Sequence, residues 1–159
     1  MRNVLLVRDL KVEFHLPEGV IKAVDGVTFR IPAGKTVALV GESGSGKSVV
    51  SQSIMGILPK PASIASGEIL FSDPKTQGDF VDIAKLKPDG PTMRDLRGGR
   101  ISIIFQEPMT SLSPLHTIGN QISEAILLHT RCNTLTASDM AIEMLRLVGF
   151  PNPAKALHT

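Results

Sequence analysis

The 159-residue chain is predicted to be an α/β protein of the phosphate-loop nucleoside triphosphatase class, with a small antiparallel β layer ahead of the site. Three observations carry that expectation. Gly41-Glu42-Ser43-Gly44-Ser45-Gly46-Lys47-Ser48 spell G-x-x-x-x-G-K-S/T. A short apolar run, Val37-Ala38-Leu39-Val40, enters it as a buried strand would. A helical pattern leaves it, with Val49, Val50, Ser53, Ile54 and Ile57, and is expected to stop at Pro59. Strand, loop and helix together are the context this motif requires. A Gly/Ser-rich surface turn could match the bare pattern, and the flanking elements argue against it.

The chemistry follows from the residue types. Glycines at 41, 44 and 46 let the backbone curl without a Cβ in the way. Their N–H groups, with those opening the helix through Val49, are expected to converge on one anion. Lys47 would then reach the β- and γ-phosphates as a mobile charge, and Ser48 would offer its hydroxyl to Mg²⁺. The ligand so predicted is a nucleoside triphosphate.

Composition narrows the alternatives. At 42% hydrophobic and 20% charged, the chain reads as globular and able to bury a core. Its net charge of +2, with scattered basic residues, gives no case for nucleic acid. Arg94, Arg97 and Arg100 form the one local basic cluster and read as a solvated loop. Cys132 is the single cysteine and reads as a bystander thiol. No run approaches the roughly 18 apolar residues of a membrane span, and no signal-peptide core follows Met1, so a cytoplasmic setting is expected. His15, His116, His129 and His158 share no metal-ligand spacing.

Along the chain, residues 4–16 read as extended, with Val4 and Leu6, then Leu10, Val12 and Phe14, at period two. Pro17-Glu18-Gly19 marks a turn, and 20–31 resumes a strand pattern broken at Asp25-Gly26. Pro32-Ala33-Gly34 is a second turn. Residues 59–67 read as a loop, 68–72 as a short strand, and 73–99 as an irregular connection with at most a short helix near 92–97. Residues 100–105 read as a buried strand ending before Gln106-Glu107-Pro108. Two amphipathic helices follow. The first has a stripe of Ile118, Ile122, Ala125, Ile126 and His129. The second starts in a capping-box-like Thr136 and Asp139, with a stripe of Ala137, Met140, Ala141, Met144 and Val148, and closes at Gly149 and Pro151.

GESGSGKS at 41–48, AVDGVTF at 23–29, SGEILF at 66–71 and IFQEPMTSLSP at 104–114 together resemble ATP-binding subunits of ABC transporters, most of all the oligopeptide, dipeptide and nickel importer branch. The likeness runs from about Leu5 to the C-terminus, with Ser113 where that branch usually has Asn. It implies an ABC-type core over 1–105. A glutamine loop and the start of an α-helical subdomain would follow over 106–159. It also implies ATP and Mg²⁺ as ligands, transmembrane permease subunits and a second ATP-binding subunit (the same or different) as partners, and a peripheral place on the inner face of the membrane. By this resemblance Gln106 would be the residue whose amide meets Mg²⁺ or the attacking water. Phe14 would be the aromatic that stacks on adenine, although a strand residue facing the core is an equal reading.

The family's Walker B strand with its Asp and Glu, its LSGGQ-like signature and its switch histidine have no counterpart in 1–159. The expectation is therefore the N-terminal half of a nucleotide-binding domain, its C-terminal half missing, which alone would hydrolyse ATP at a small fraction of a complete subunit's rate. A non-hydrolysing remnant or regulatory nucleotide-binding module is the alternative. A small phosphate-loop kinase is a third reading, and it leaves 104–114 unexplained.

Overall fold

The structure, a computed structural model, describes residues 2–73, 80–106 and 112–158. The chain forms two compact units, Met1–Ile103 and Ile104–Thr159. In the first, β1 (Asn3–Leu16) and β2 (Gly19–Pro32) make a long hairpin. β3 (Ala62–Ser72) pairs with the other edge of β1, and β4 (Phe80–Asp82) with β3. The sheet is antiparallel throughout, in the order β2-β1-β3-β4. Helices α1 (Lys47–Met55) and α2 (Pro91–Leu96) complete this unit.

Its core joins Leu5, Val7, Leu10 and Val12 of β1 to Ile69 and Phe71 of β3, with Val50 of α1 and Met93 and Leu96 of α2. The phase of β1 differs from the alternation expected. Counting back by twos from Val12 and Leu10 would bury Leu6 and Val4, whereas the buried residues are Leu5 and Val7. A bulge at Asp9 (φ 43) inserts one residue, and the register with β2 shifts between Val7 and Leu10. Gly67 permits the bulge, because a Cβ there would lie 2.5 Å from the Asp9 carbonyl oxygen. Asp25-Gly26 shifts register without ending β2.

Other boundaries also moved. β3 starts at Ala62, inside the expected loop, because the long edge of β1 offers partners as far as Phe14. β4 and the short 3₁₀ turn Ile83–Lys85 fall within the supposed irregular connection. Asp82 organises them, its carboxylate accepting from the amides of Ile69 and Ala84 and pairing with Lys85 at 2.9 Å. α1 stops at Gly56, before Pro59, in a left-handed cap whose N–H donates to Ser53 O while that of Ile57 donates to Gln52 O.

Two expected buried strands are not strands. Residues 35–42 carry no regular structure, and Leu39 and Val40 are 44% and 85% exposed. The run 100–105 makes one isolated bridge, Arg97 to Ile101, and Ile104 is 92% exposed. An apolar run becomes a central strand only when neighbouring strands take up its backbone groups. Among the described residues, no strand pairs with either run.

The second unit holds α3 (Ile118–His129), α4 (Thr134–Leu147) and the short α5 (Pro153–Ala156). The side chain of Thr117 caps α3. Asn133 caps α4 by accepting from Thr136 N–H at 2.9 Å, so the helix begins two residues before the expected Thr136 start. Ala141, Leu145, Ala156 and Leu157 form the core, with Ile122, Ile126 and Ile142 packed on it. The buried stripe of α4 is Ala137, Ala141 and Leu145; Met144 and Val148 of the expected stripe are exposed. Ala125 and His129 of α3 are exposed as well. Gly149 (φ 72) ends α4, its N–H donating to Arg146 O while that of Phe150 donates to Leu145 O.

Candidate phosphate site

The loop 41–46 runs into α1 through two left-handed glycines, Gly44 (φ 80) and Gly46 (φ 87). Gly46 is the N-cap and has no side chain to bond the first-turn amides. Those N–H groups have no partner within a helix. The N-terminus thus presents uncapped donors and the positive end of the helix dipole. Gly46 also comes close to β2: a Cβ there would lie 2.4 Å from Ala23 O and 3.4 Å from Val24 Cγ2. A Cβ at Gly41 would lie 2.7 Å from Ser45 Oγ. The role of Gly46 is therefore both steric and conformational, that of Gly41 steric and that of Gly44 conformational.

Lys47 Nζ donates to Gly41 O at 2.8 Å, to Glu42 O at 2.5 Å and to Ser45 Oγ at 3.2 Å. The ammonium is thereby held across the mouth of the loop by weak, neutral acceptors. A phosphate oxygen would offer it a stronger, charge-assisted bond. Ser45 N–H donates to Glu42 O at 3.2 Å, closing the turn. Ser48 lies exposed in the first turn of α1. A depression beside the loop is lined by Val24 and Val27 of β2 with Gly41, Ser45, Gly46 and Lys47. The expected loop residues 41–49 are therefore gathered in one place.

Phe14 and Gln106 are not part of the loop itself. Phe14 is half-buried in β1, opposite Ile21 of β2 and Ala62 of β3, and is not a member of the core cluster. Gln106 is exposed and belongs to the second unit. Residues 107–111 of the 104–114 segment lie outside the described residues. The sequence reading missed Ala23, whose carbonyl backs the loop; AVDGVTF was noticed without a role for its first residue. It also missed two basic residues. Arg97, far from being solvated, donates to main-chain carbonyls of Met55 and Gly56, and Arg100 pairs with Asp73 at 3.0 Å.

A G-x-x-x-x-G-K-S loop at the head of a helix, with left-handed glycines at 44 and 46, is the phosphate-loop motif of nucleotide-binding proteins. Residues 24–158 match the ABC transporter family model, and the chain belongs to that family. It is 44% identical over 158 residues to the dipeptide transport ATP-binding protein DppD of Bacillus subtilis, covering 99% of this chain and 44% of that protein. It is 42% identical over 153 residues to the probable peptide ABC transporter ATP-binding protein y4tR of Sinorhizobium fredii, covering 96% and 43%. The chain thus spans less than half the length of these relatives. Among solved structures it resembles the ATP-binding cassette MJ0796, solved as a dimer in a post-hydrolysis state bound to ADP and Pi. There the TM-score is 0.76 at 21% identity, over 93% of this chain and 58% of that one. No described helix is long and apolar enough to cross a membrane.

Proposed function

We propose that this chain is the ATP-binding part of an energy-coupling subunit of an ABC importer for peptides or similar small solutes. One observation carries the reading: the ammonium of Lys47 and the uncapped amides of α1 surround the same glycine-built loop. Residues 1–105 supply the nucleotide-binding core, and 106–159 the glutamine loop and the beginning of the helical subdomain. The peptide assignment rests on what DppD and y4tR are named for.

In this reading the amides over Gly44–Val49 orient the polyphosphate, and Lys47 leaves its loop carbonyls for the β- and γ-phosphate oxygens. Ser48 and Gln106 both carry hard oxygen donors of the kind Mg²⁺ takes, and they would hold it. When bound, that ion neutralises charge on the phosphates. Phe14 supplies a flat apolar face for adenine. Its place outside the core cluster supports this role over a packing one. ATP binding would close two such subunits on the inner face of the membrane, and the 104–114 loop with the following helices would pass that motion to permease partners. The dimeric MJ0796 cassette supports a paired arrangement.

Titration with a fluorescent ATP analogue tests the site. Lys47→Ala is expected to weaken binding at least tenfold, the loss of one charge-assisted contact or more. Equal affinities for parent and variant would refute the assignment.

A further inference from the structure

We propose that Arg97 is a positioning residue of the phosphate site, acting through the far end of α1. This rests on the nucleotide-binding reading and extends it to a side chain outside the loop. The Arg97 guanidinium donates through Nε to Met55 O at 2.9 Å and through Nη2 to Gly56 O at 3.0 Å. Nη2 also donates to Pro88 O. One planar fork therefore takes the last carbonyls of α1 and ties them to the connector that precedes α2.

Three features make this a fixed clamp. Gly56 is left-handed (φ 61), and a Cβ there would lie 3.3 Å from Arg97 Nη2 and 3.3 Å from Met93 Sδ, so the helix end fits closely beneath them. Arg97 itself is held: its N–H donates to Met93 O, and the Gly98 and Ile101 amides close a turn around it. Its neighbours Met93 and Leu96 are buried in the core that also contains Val50 of α1.

The consequence concerns geometry at the other end. α1 is nine residues long, a rigid rod of about 13 Å at 1.5 Å per residue. Its first turn is the proposed phosphate cradle, and Gly46 lies so near Ala23 O that a Cβ would not fit between them. A rod packed at one end against Ala23 and tied at the other by Arg97 holds its first-turn amides in one orientation. A cation at the C-terminal carbonyls also complements the helix dipole. Lysine cannot replace the fork, because a single ammonium lacks the planar set of donors.

Binding of a fluorescent ATP analogue to the full chain is the test, measured well below each variant's own Tm. Arg97→Ala should raise Kd about tenfold and Arg97→Lys by less, while millimolar methylguanidinium should restore binding to Arg97→Ala and leave the parent and Lys47→Ala unmoved. An unchanged Kd in Arg97→Ala overturns the proposal. So does a loss that methylguanidinium does not recover, which assigns Arg97 to folding alone. Hydrogen exchange separates this from failure of the nucleotide reading. Amides of 50–58 should lose protection in Arg97→Ala and regain it with methylguanidinium, with or without nucleotide, and unaltered exchange there overturns the clamp even if the parent binds no nucleotide.

Discussion

At Gly46 a methyl group has nowhere to go. The neighbouring atom is a main-chain oxygen, Ala23 O, 2.4 Å from the position a Cβ would take, and φ is 87. Gly46→Ala must therefore move either the loop or β2. Strain of this kind costs about 1–3 kcal/mol, and the amides it displaces are those of the cradle. We expect Gly46→Ala to lower the Tm and abolish binding of the ATP analogue, measured by thermal melt and titration. Gly56→Ala meets side chains instead, 3.3 Å away, which can give. Its cost is expected to be about 1 kcal/mol, chiefly for the left-handed backbone. In the core, Ile69 is fully buried in β3, and Ile69→Ala should cost about 2–5 kcal/mol by chemical denaturation. Gly46 and Ile69 lie in quoted motifs, so their type was legible, whereas Gly56 falls inside the helix expected to run on to Pro59. Which atom each one faces was not legible.

At the scale of elements, periodicity identified both arms of the hairpin, the helix after the loop and the two later helices. It failed where a long-range partner decides. β3 extends back to Ala62 because β1 is there to receive it, although Ser63, Ala65 and Ser66 have little strand character of their own. Conversely, Val37–Val40 and Ile101–Phe105 have strong strand composition and form no strand among the described residues, the Arg97–Ile101 bridge apart. A β propensity is a capacity to fit a half-buried pleat, and it is realised only beside a neighbour. The amides of 37–40 should therefore exchange with solvent near the unprotected rate, while those of Val7 and Ile69 should be protected at least a thousandfold, roughly the factor a stable domain gives its core. Protection of 37–40 comparable to β1 would show that the run is paired in solution.

For the whole molecule, the relevant quantity is linkage between ligand and fold. Anything that binds the native state alone stabilises it, by about 2.7 kcal/mol at a hundredfold excess over Kd. ATP with Mg²⁺ at that excess should raise the Tm by several degrees, about 2–4 °C per kcal/mol at this size. For Lys47→Ala, with Kd raised at least tenfold, the same concentration should give at most about half that stabilisation, about 1.4 kcal/mol. A parent whose melt ignores the nucleotide would count against the cradle as the site. Each unit has its own apolar cluster, Val7, Leu10 and Ile69 in the first and Ala141 and Leu145 in the second, so the melt should be followed in both. Far-UV circular dichroism weighted to helix and exchange across β1–β3 serve that purpose.

The amino-acid sequence by itself determined the loop, its lysine and its helix, because glycine conformational freedom and residue spacing act within a few peptide bonds. The motifs at 23–29, 66–71 and 104–114 determined the family in the same local way. Only the tertiary structure decided that Leu5 and Val7 face inward past the bulge at Asp9, that Ala23 walls the loop, and that Arg97 grips the end of α1. Each of those depends on chain segments tens of residues apart arriving at the same point, which no local pattern encodes.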